Sequence, residues 1–190
     1  MRKAGLTKQA GFTLAELIIV IVLIAILGGI GVSRSLDRQS FDARTFVDRT
    51  QLMLRYGQKL AIAQNRPVYV RLDGASIAMC FNYPSDGSFP NCTVDNQVAT
   101  PALKNSETSN TLAACNNVST WNCEGLPTGI SYTLSPSISY FYFDALGKPF
   151  AAADVSPTPV SSFALLRIRI TGDGNNHDIY VEPETGYVHF

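Results

Sequence analysis

The chain has 190 residues, 46% hydrophobic and 16% charged, with 15 basic and 15 acidic side chains and a formal net charge of zero. That length suits one domain plus an appendage, and the apolar content excludes wholesale disorder. Arg2, Lys3 and Lys8 all precede Gly11; removing that leader takes the basic count from 15 to 12, so the remainder carries about −3 and has no global attraction to nucleic acid.

Residues 1–11 are basic and end in glycine, and Phe12-Thr13-Leu14-Ala15-Glu16 then opens an apolar run that reaches Val32. Glu16 is the single charge between Phe12 and Ser33. As a helix, that stretch would span roughly 33 Å, enough for a bilayer core. Basic residues before it orient the N-terminus to the cytoplasm. The small residues Gly28, Gly29 and Gly31 imitate an ordinary signal-peptidase site after an apolar region. Glu16 argues against that reading, because a carboxylate in a membrane segment is costly and generally has a partner. It lies four residues, one helical turn, past Phe12. A cut before Phe12 creates an ammonium one turn from that carboxylate, in apolar surroundings where charge pairing is strong.

Gly11-Phe12-Thr13-Leu14-Ala15-Glu16-Leu17 resembles the prepilin motif of type IV pilins and type II secretion pseudopilins. The resemblance implies cleavage between Gly11 and Phe12 by a membrane prepilin peptidase, which also N-methylates Phe12. It implies that Glu16 pairs with the N-terminal amine of a neighbouring subunit during assembly. Many pilins carry a proline near the membrane exit; this chain has none there, and the glycines at 28, 29 and 31 are expected to loosen the helix instead.

No proline interrupts residues 12–66, and Asn65-Arg66-Pro67 marks a helix end near Gln64. The second half, 34–66, is amphipathic. Phe46, Met53 and Leu60 recur every seven residues, with Val47, Leu54 and Ala61 beside them and Leu36, Ala43, Thr50 and Gly57 in the same stripe. Arg38/Asp42 and Arg44/Asp48 suit the wet face. The stripe is expected to pack on a sheet, with Gly57 admitting a strand closely.

After Pro67 the period changes. Val68–Leu72 and Ala75–Phe81 flank Asp73-Gly74, a hairpin signal. Residues 82–128 read as a loop-like insert rich in Pro, Asn, Ser and Thr, too long to stand untethered. Strands are expected again at 129–134, 138–143, 162–170, 178–182 and 187–190. Leu166, Ile168 and Ile170 should face inward and Arg167 and Arg169 outward. Pro183–Gly186 reads as a second hairpin turn. The predicted fold is α+β: a long N-terminal helix packed on one antiparallel sheet. The predicted segments are a cleaved leader 1–11, a transmembrane half 12–33, an amphipathic half 34–66 and a β-rich domain 67–190.

Residues 61–70, 143–149 and 184–188 are similar to the helix end, mid-sheet turn and final hairpin of GspH/FimT-like minor pilins. The tail from Glu182 to His189 is most similar to a minor pilin of the mannose-sensitive haemagglutinin (MSHA) pilus system. The resemblance implies a pilin-like fold in a minor pilin that joins a filament and acts in its assembly or initiation. The expected partners are prepilin peptidase, other major and minor pilins through the N-terminal helix, an inner-membrane assembly platform and membrane lipid. The expected location is a single-pass inner-membrane anchor with a periplasmic domain, then the filament. A type II secretion pseudopilin and a DNA-uptake minor pilin are the alternatives.

Cys80, Cys92, Cys115 and Cys123 lie outside the helix, with no Cys-x-x-Cys pair and only two histidines, which excludes a zinc finger or ribbon. An even cysteine count in an exported, loop-rich segment reads as disulfides. Three pairings are open; Cys80–Cys92 with Cys115–Cys123 is preferred because each closes a short loop. Asp173–Asp178 lacks the ligand spacing of an EF-hand and reads as a hairpin turn. No Gly-x-Ser-x-Gly elbow or phosphate-cradling loop occurs. His177 and His189 read as surface residues, and Arg167 and Arg169 as a solvated sheet face rather than a DNA site. No enzyme activity, metal or cofactor is expected.

Overall fold

The computed structural model of the chain describes residues 13–82, 92–154, 159–172 and 174–190, and for 27–38 the backbone alone. Helix α1 runs Leu14–Gln64. Its residues up to Arg38 form one compact unit, and Gln39–Phe190 forms a second. The helix ends because Asn65 adopts the left-handed region (φ 51°), which asparagine tolerates better than most residues. The amide of Asn65 then bonds back to Ile62 O (3.3 Å) and that of Arg66 to Ala61 O (3.2 Å). These are the two bonds of a Schellman cap, and Pro67 comes next.

In the second unit the strands are β1 Val68–Leu72, β2 Ser76–Cys80, β3 Cys123–Gly125, β4 Ser131–Ser135, β5 Tyr140–Phe143, β6 Pro149–Ala151, β7 Leu166–Thr171, β8 Asn176–Val181 and β9 Val188–His189. They form two antiparallel sheets, ordered β3-β2-β1-β5-β6 and β4-β7-β8-β9. The predicted arrangement of helix on antiparallel sheet is thus present, with the strands divided between two sheets rather than one. A further helix, α2 (Ser109–Ala114), is capped by Thr108, whose hydroxyl accepts the Thr111 amide.

The core lies between α1 and the sheets. Ala43, Phe46, Val47, Met53, Leu54 and Ala61 are buried on the helix, and Leu60 packs against them. They meet Val68 and Val70 of β1, Ile77 and Met79 of β2, Phe141 and Phe143 of β5, and Leu166, Ile168, Ile170 and Ile179 of the second sheet. The seven-residue recurrence therefore reports the buried face. A side chain at Gly57 would place its Cβ 2.7 Å from Met79 Sδ and 3.6 Å from Val68 Cγ1; this glycine lets the sheet approach. The opposite face of the first sheet carries its own aromatic cluster, Tyr69, Tyr140, Tyr142 and Phe150.

Two sequence expectations are corrected. The insert 82–128 is not loop throughout. It holds a 3-10 turn at Val94–Asn96, α2, and β3, which pairs with β2 from Ser76↔Gly125 to Ala78↔Cys123. Three residues are too few to show alternation, so β3 leaves no pattern to read. The stretch 143–149 runs on into β6, paired with β5 (Phe143↔Pro149); Pro149 is tolerated because β6 is an edge strand. Several strands also begin later than expected, β7 at Leu166 rather than Ser162.

Candidate functional site

Gly11, Phe12 and the basic leader lie outside the described residues, which begin at Thr13. The Thr13 carbonyl accepts the Glu16 and Leu17 amides (3.1 and 3.2 Å), and its hydroxyl accepts the Glu16 amide (3.3 Å). Thr13 thus stands in the N-cap position, its hydroxyl sharing the Glu16 amide with its own carbonyl. The sequence signal for this role is the capping-box spacing Thr13-x-x-Glu16, which the charge of Glu16 overshadows. Only the hydroxyl half of the box is made: among the described residues the Glu16 carboxylate has no hydrogen bond or ion pair. It is exposed in the first helical turn.

Leu17 to Leu23 come next, each 45–59% exposed, with Ile24 at 64% and Ile26 at 56%. The helix is apolar on every side here, so no face is reserved for water. Among the described residues no helix is long and apolar enough to cross a membrane. The expected span 12–33 extends beyond them, since Phe12 and the side chains of 27–33 are outside the described set.

In the second unit, the β5–β6 and β8–β9 turns, within 143–149 and 184–188, meet on α1 just before residue 61. The side-chain amide of Gln58 joins them: its Nε2 donates to Gly147 O (2.9 Å) in the β5–β6 turn and to Thr185 O (2.7 Å) in the β8–β9 turn. Lys148 and Glu184 close an ion pair between the same two turns at 2.8 Å. Gly147 and Gly186 both have positive φ, and a Cβ on Gly147 would stand 2.7 Å from Ile62 Cδ1 of the helix. About one turn earlier on the helix, Arg55 donates from Nε and a terminal nitrogen to Val188 O (3.0 and 2.9 Å). These residues brace the C-terminal half of α1 against the last hairpin. Both turn glycines hold a backbone conformation that L side chains rarely adopt.

Cys80 is bonded to Cys92 (Cα–Cα 5.4 Å) and Cys115 to Cys123 (5.9 Å), the pairing preferred from loop length. Both bridges pack around Trp121 in a small core of their own. The indole N–H donates to Met79 O at 2.8 Å. Beside this core, buried Glu124 accepts from Arg49 of the helix (2.7 Å), from the Ser106 amide (2.9 Å) and from the Thr111 hydroxyl (3.2 Å). The insert is therefore tied to β2 by sulfur and to α1 by charge. The Arg49–Glu124 pair leaves no sequence signal, because nothing in the local pattern says which cation faces which carboxylate.

Of the two outward arginines, Arg169 is held by a two-pronged pair with Asp178 on the neighbouring strand, both bonds 2.7 Å. That hydrogen-bonded guanidinium holds the Asp178 carboxyl below its ordinary value. Arg167 lies two residues earlier, opposite Tyr180. His189 stacks between Tyr180 and Tyr187 (centroids 5.4 Å from each) and bonds Glu182 Oε1 at 2.9 Å. The Glu182 bond raises its pKa, aided by the Phe190 carbonyl. His177 sits on β8 opposite Ile170. Asp173 is outside the described residues, and among those described no cluster of three or more His, Cys, Asp or Glu is placed to hold a metal.

A model of the prokaryotic N-terminal methylation motif matches residues 6–32. No curated protein matches the chain in sequence. Among solved structures, the chain is similar to the type IV minor pilin FimU of Pseudomonas aeruginosa strain PAO1, at 13% identity over 80% of this chain and 87% of that one, with a TM-score of 0.45. It is also similar to the minor pseudopilin EpsH from the Type 2 Secretion System of Vibrio cholerae, at 12% identity over 80% and 94% of the two chains, with a TM-score of 0.43.

Proposed function

We propose that this chain, which carries the prokaryotic N-terminal methylation motif at residues 6–32, is a minor pilin or pseudopilin whose work is assembly rather than catalysis. Prepilin peptidase cuts between Gly11 and Phe12 and methylates the new amine of Phe12. The helix from there through residue 33 sits in the inner membrane as a single pass, with residues 67–190 in the periplasm. It later leaves lipid for the filament, where it packs on the helices of other pilins. One observation carries the reading: inside that motif, Glu16 presents an exposed carboxylate in the first turn of a helix apolar on all sides. A bare carboxylate there is costly in lipid unless a cation answers it, and the amine of a neighbouring processed subunit is the cation this chemistry supplies. Mass spectrometry of the mature N-terminus tests it. N-methyl-Phe12 as first residue is expected; a start after the glycines near residue 31 overturns the reading.

Within that class we favour an MSHA-type pilus and a role in initiating assembly, on the resemblance of the 182–189 tail. The type II secretion alternative is distinguished by the neighbouring genes. A DNA-uptake role is less well supported, since Asp178 already neutralises Arg169 and the processed chain is acidic overall.

A further inference from the structure

Leu103 carries two costs at once. Among the described residues, those other than glycine with positive φ are Asn65, Leu103, Glu107, Asn116 and Asn117. Asparagine tolerates that region; leucine does not. Leu103 has φ 69° and is also 83% exposed, in a run from Pro101 to Lys104 that is exposed throughout. The tip is pinned rather than slack. The Thr100 amide bonds Thr120 O (2.9 Å) and the Asn105 amide bonds Ser119 O (2.7 Å), so both ends are fixed to one segment. Buried Asn105 also donates from Nδ2 to Val118 O (3.1 Å) and accepts the Glu107 amide on Oδ1 (3.1 Å). The Ser106 amide reaches Glu124 in β3 (2.9 Å). Strained residues persist where their surroundings over-determine them, and they concentrate where something is gripped.

A second exposed apolar feature surrounds the meeting of Gly147 and Gly186. Ile62 of α1 lies against Gly147, and Leu146 and Tyr187 adjoin the two glycines along the chain; the three are 50%, 84% and 58% exposed. The Leu103 loop is bonded to β3, at one edge of the first sheet, and this patch sits at the β5–β6 turn, at the other. We propose that Leu103 is a knob that seats on the Ile62–Leu146–Tyr187 patch of a second copy of this chain. The charges suit that occupant. Lys104 pairs with Glu107 beside the knob (2.9 Å), and Lys148 with Glu184 beside the patch (2.8 Å). Each rim thus carries one cation and one carboxylate, so two acidic chains meet there without a like-charge penalty, and Lys104 finds a carboxylate to share in Glu184, whose side chain is 78% exposed. Pinning the loop beforehand reduces the entropy lost on docking. Because knob and patch are different surfaces, the contact is head-to-tail and leaves one of each free at the ends of a pair. It does not involve the Gly11–Phe12 bond, so it stands or falls separately from the N-terminal mass spectrum.

Cross-linking of the full chain in phosphatidylcholine vesicles with a short bismaleimide tests it. One copy carries Ala102→Cys and the other Ala145→Cys, next to the knob and the patch but leaving both intact; the native cysteines are bridged and do not react. The mixture should give about tenfold more dimer than either copy alone, and Leu103→Gly in the first copy or Leu146→Asp in the second should remove that excess, the factor that burying one leucine corresponds to. Glycine accepts the left-handed backbone, so Leu103→Gly should not lower the melting temperature. A leucine that serves only its own insert would lower melting when removed and spare the cross-link, and that result overturns the proposal. Equal dimer from like copies, or none from the mixture, overturns it too. A polarity-sensitive dye on Ala102→Cys covers the other occupant: a blue shift at fewer than one chain per vesicle assigns the tip to lipid and overturns the proposal as well.

Discussion

Gly186 lies against Gly147: a Cβ on the first would run into the carbonyl oxygen of the second and stand 2.6 Å from Gln58 Nε2. Gly186 also has φ +64°, where an L side chain is strained. The two turns and the helix therefore meet at a point with no room for a side chain. Gly74, in the β1–β2 turn, has φ +83° and nothing within 4 Å of its would-be Cβ. Comparing Gly186→Ala with Gly74→Ala separates backbone strain from crowding. Gly74→Ala should cost about 1–2 kcal/mol, the left-handed penalty alone. Gly186→Ala should cost at least a further ~1 kcal/mol, in the range of overpacking. Urea denaturation of the full chain measures both, and equal losses would mean that the junction yields.

The contrast between these sites shows what the residues reveal by themselves. Asp73-Gly74 announces its turn because the flanking strands are apolar and β-branched and β1 and β2 pair at once, Leu72↔Ile77. The helix end is legible for a similar reason, since Asn65 and Pro67 act within a few residues. Gln58 reads only as a polar residue on a helix; the carbonyls it serves lie 89 and 127 residues away. Division of the strands into two sheets is equally non-local. It is bridged by Tyr132 of β4, whose hydroxyl donates to Ser76 O (3.0 Å) and accepts the Gly74 amide (2.7 Å). Burial pushes that phenol up to about 12. The N-terminal site is legible because its chemistry is packed into a few consecutive residues. Even there the cap at Thr13 is the quieter signal, since Glu16 serves it through a backbone amide that every residue type carries.

The disulfide-tied insert should come apart before the rest of the domain. Cys115–Cys123 closes a separation of 8 residues and Cys80–Cys92 one of 12. By loop entropy each is worth about 2–3 kcal/mol. Their own core around Trp121 is small and separate from the main one. Replacing Cys115 and Cys123 by Ser together should lower stability by about that amount. It should loosen α2 and β3 while leaving Phe46, Leu54 and Phe141 packed. Fluorescence of Trp121, the sole tryptophan, reports the local change, and far-UV circular dichroism the main fold. Simultaneous loss of both signals at one denaturant concentration would show a single cooperative unit instead.

Two ion pairs on the second sheet give opposite pH dependences. The Arg169 hydrogen bonds, outweighing the upward pull of burial, depress Asp178 below 3.8. The folded state thus binds its proton less readily than the unfolded chain. Its contribution is present above the unfolded value near 4 and is lost as pH falls through the lower folded value. His189 has the reverse sign. Glu182, and then the Phe190 carbonyl, raise it above 6.5, with burial and Arg55 opposing. The folded state binds this proton more readily, so the contribution is complete below pH about 6.5 and fades as pH rises through the higher folded value. Stability from these two pairs should therefore peak in mildly acidic solution and decline on both sides. Both pairs are partly exposed, so each effect should be modest and shrink in high salt. Glu182→Gln should flatten the alkaline decline and leave the acid one, while Asp178→Asn should do the opposite. Melting temperatures across pH 3–9 decide it; an alkaline decline that survives Glu182→Gln assigns that limb to another group.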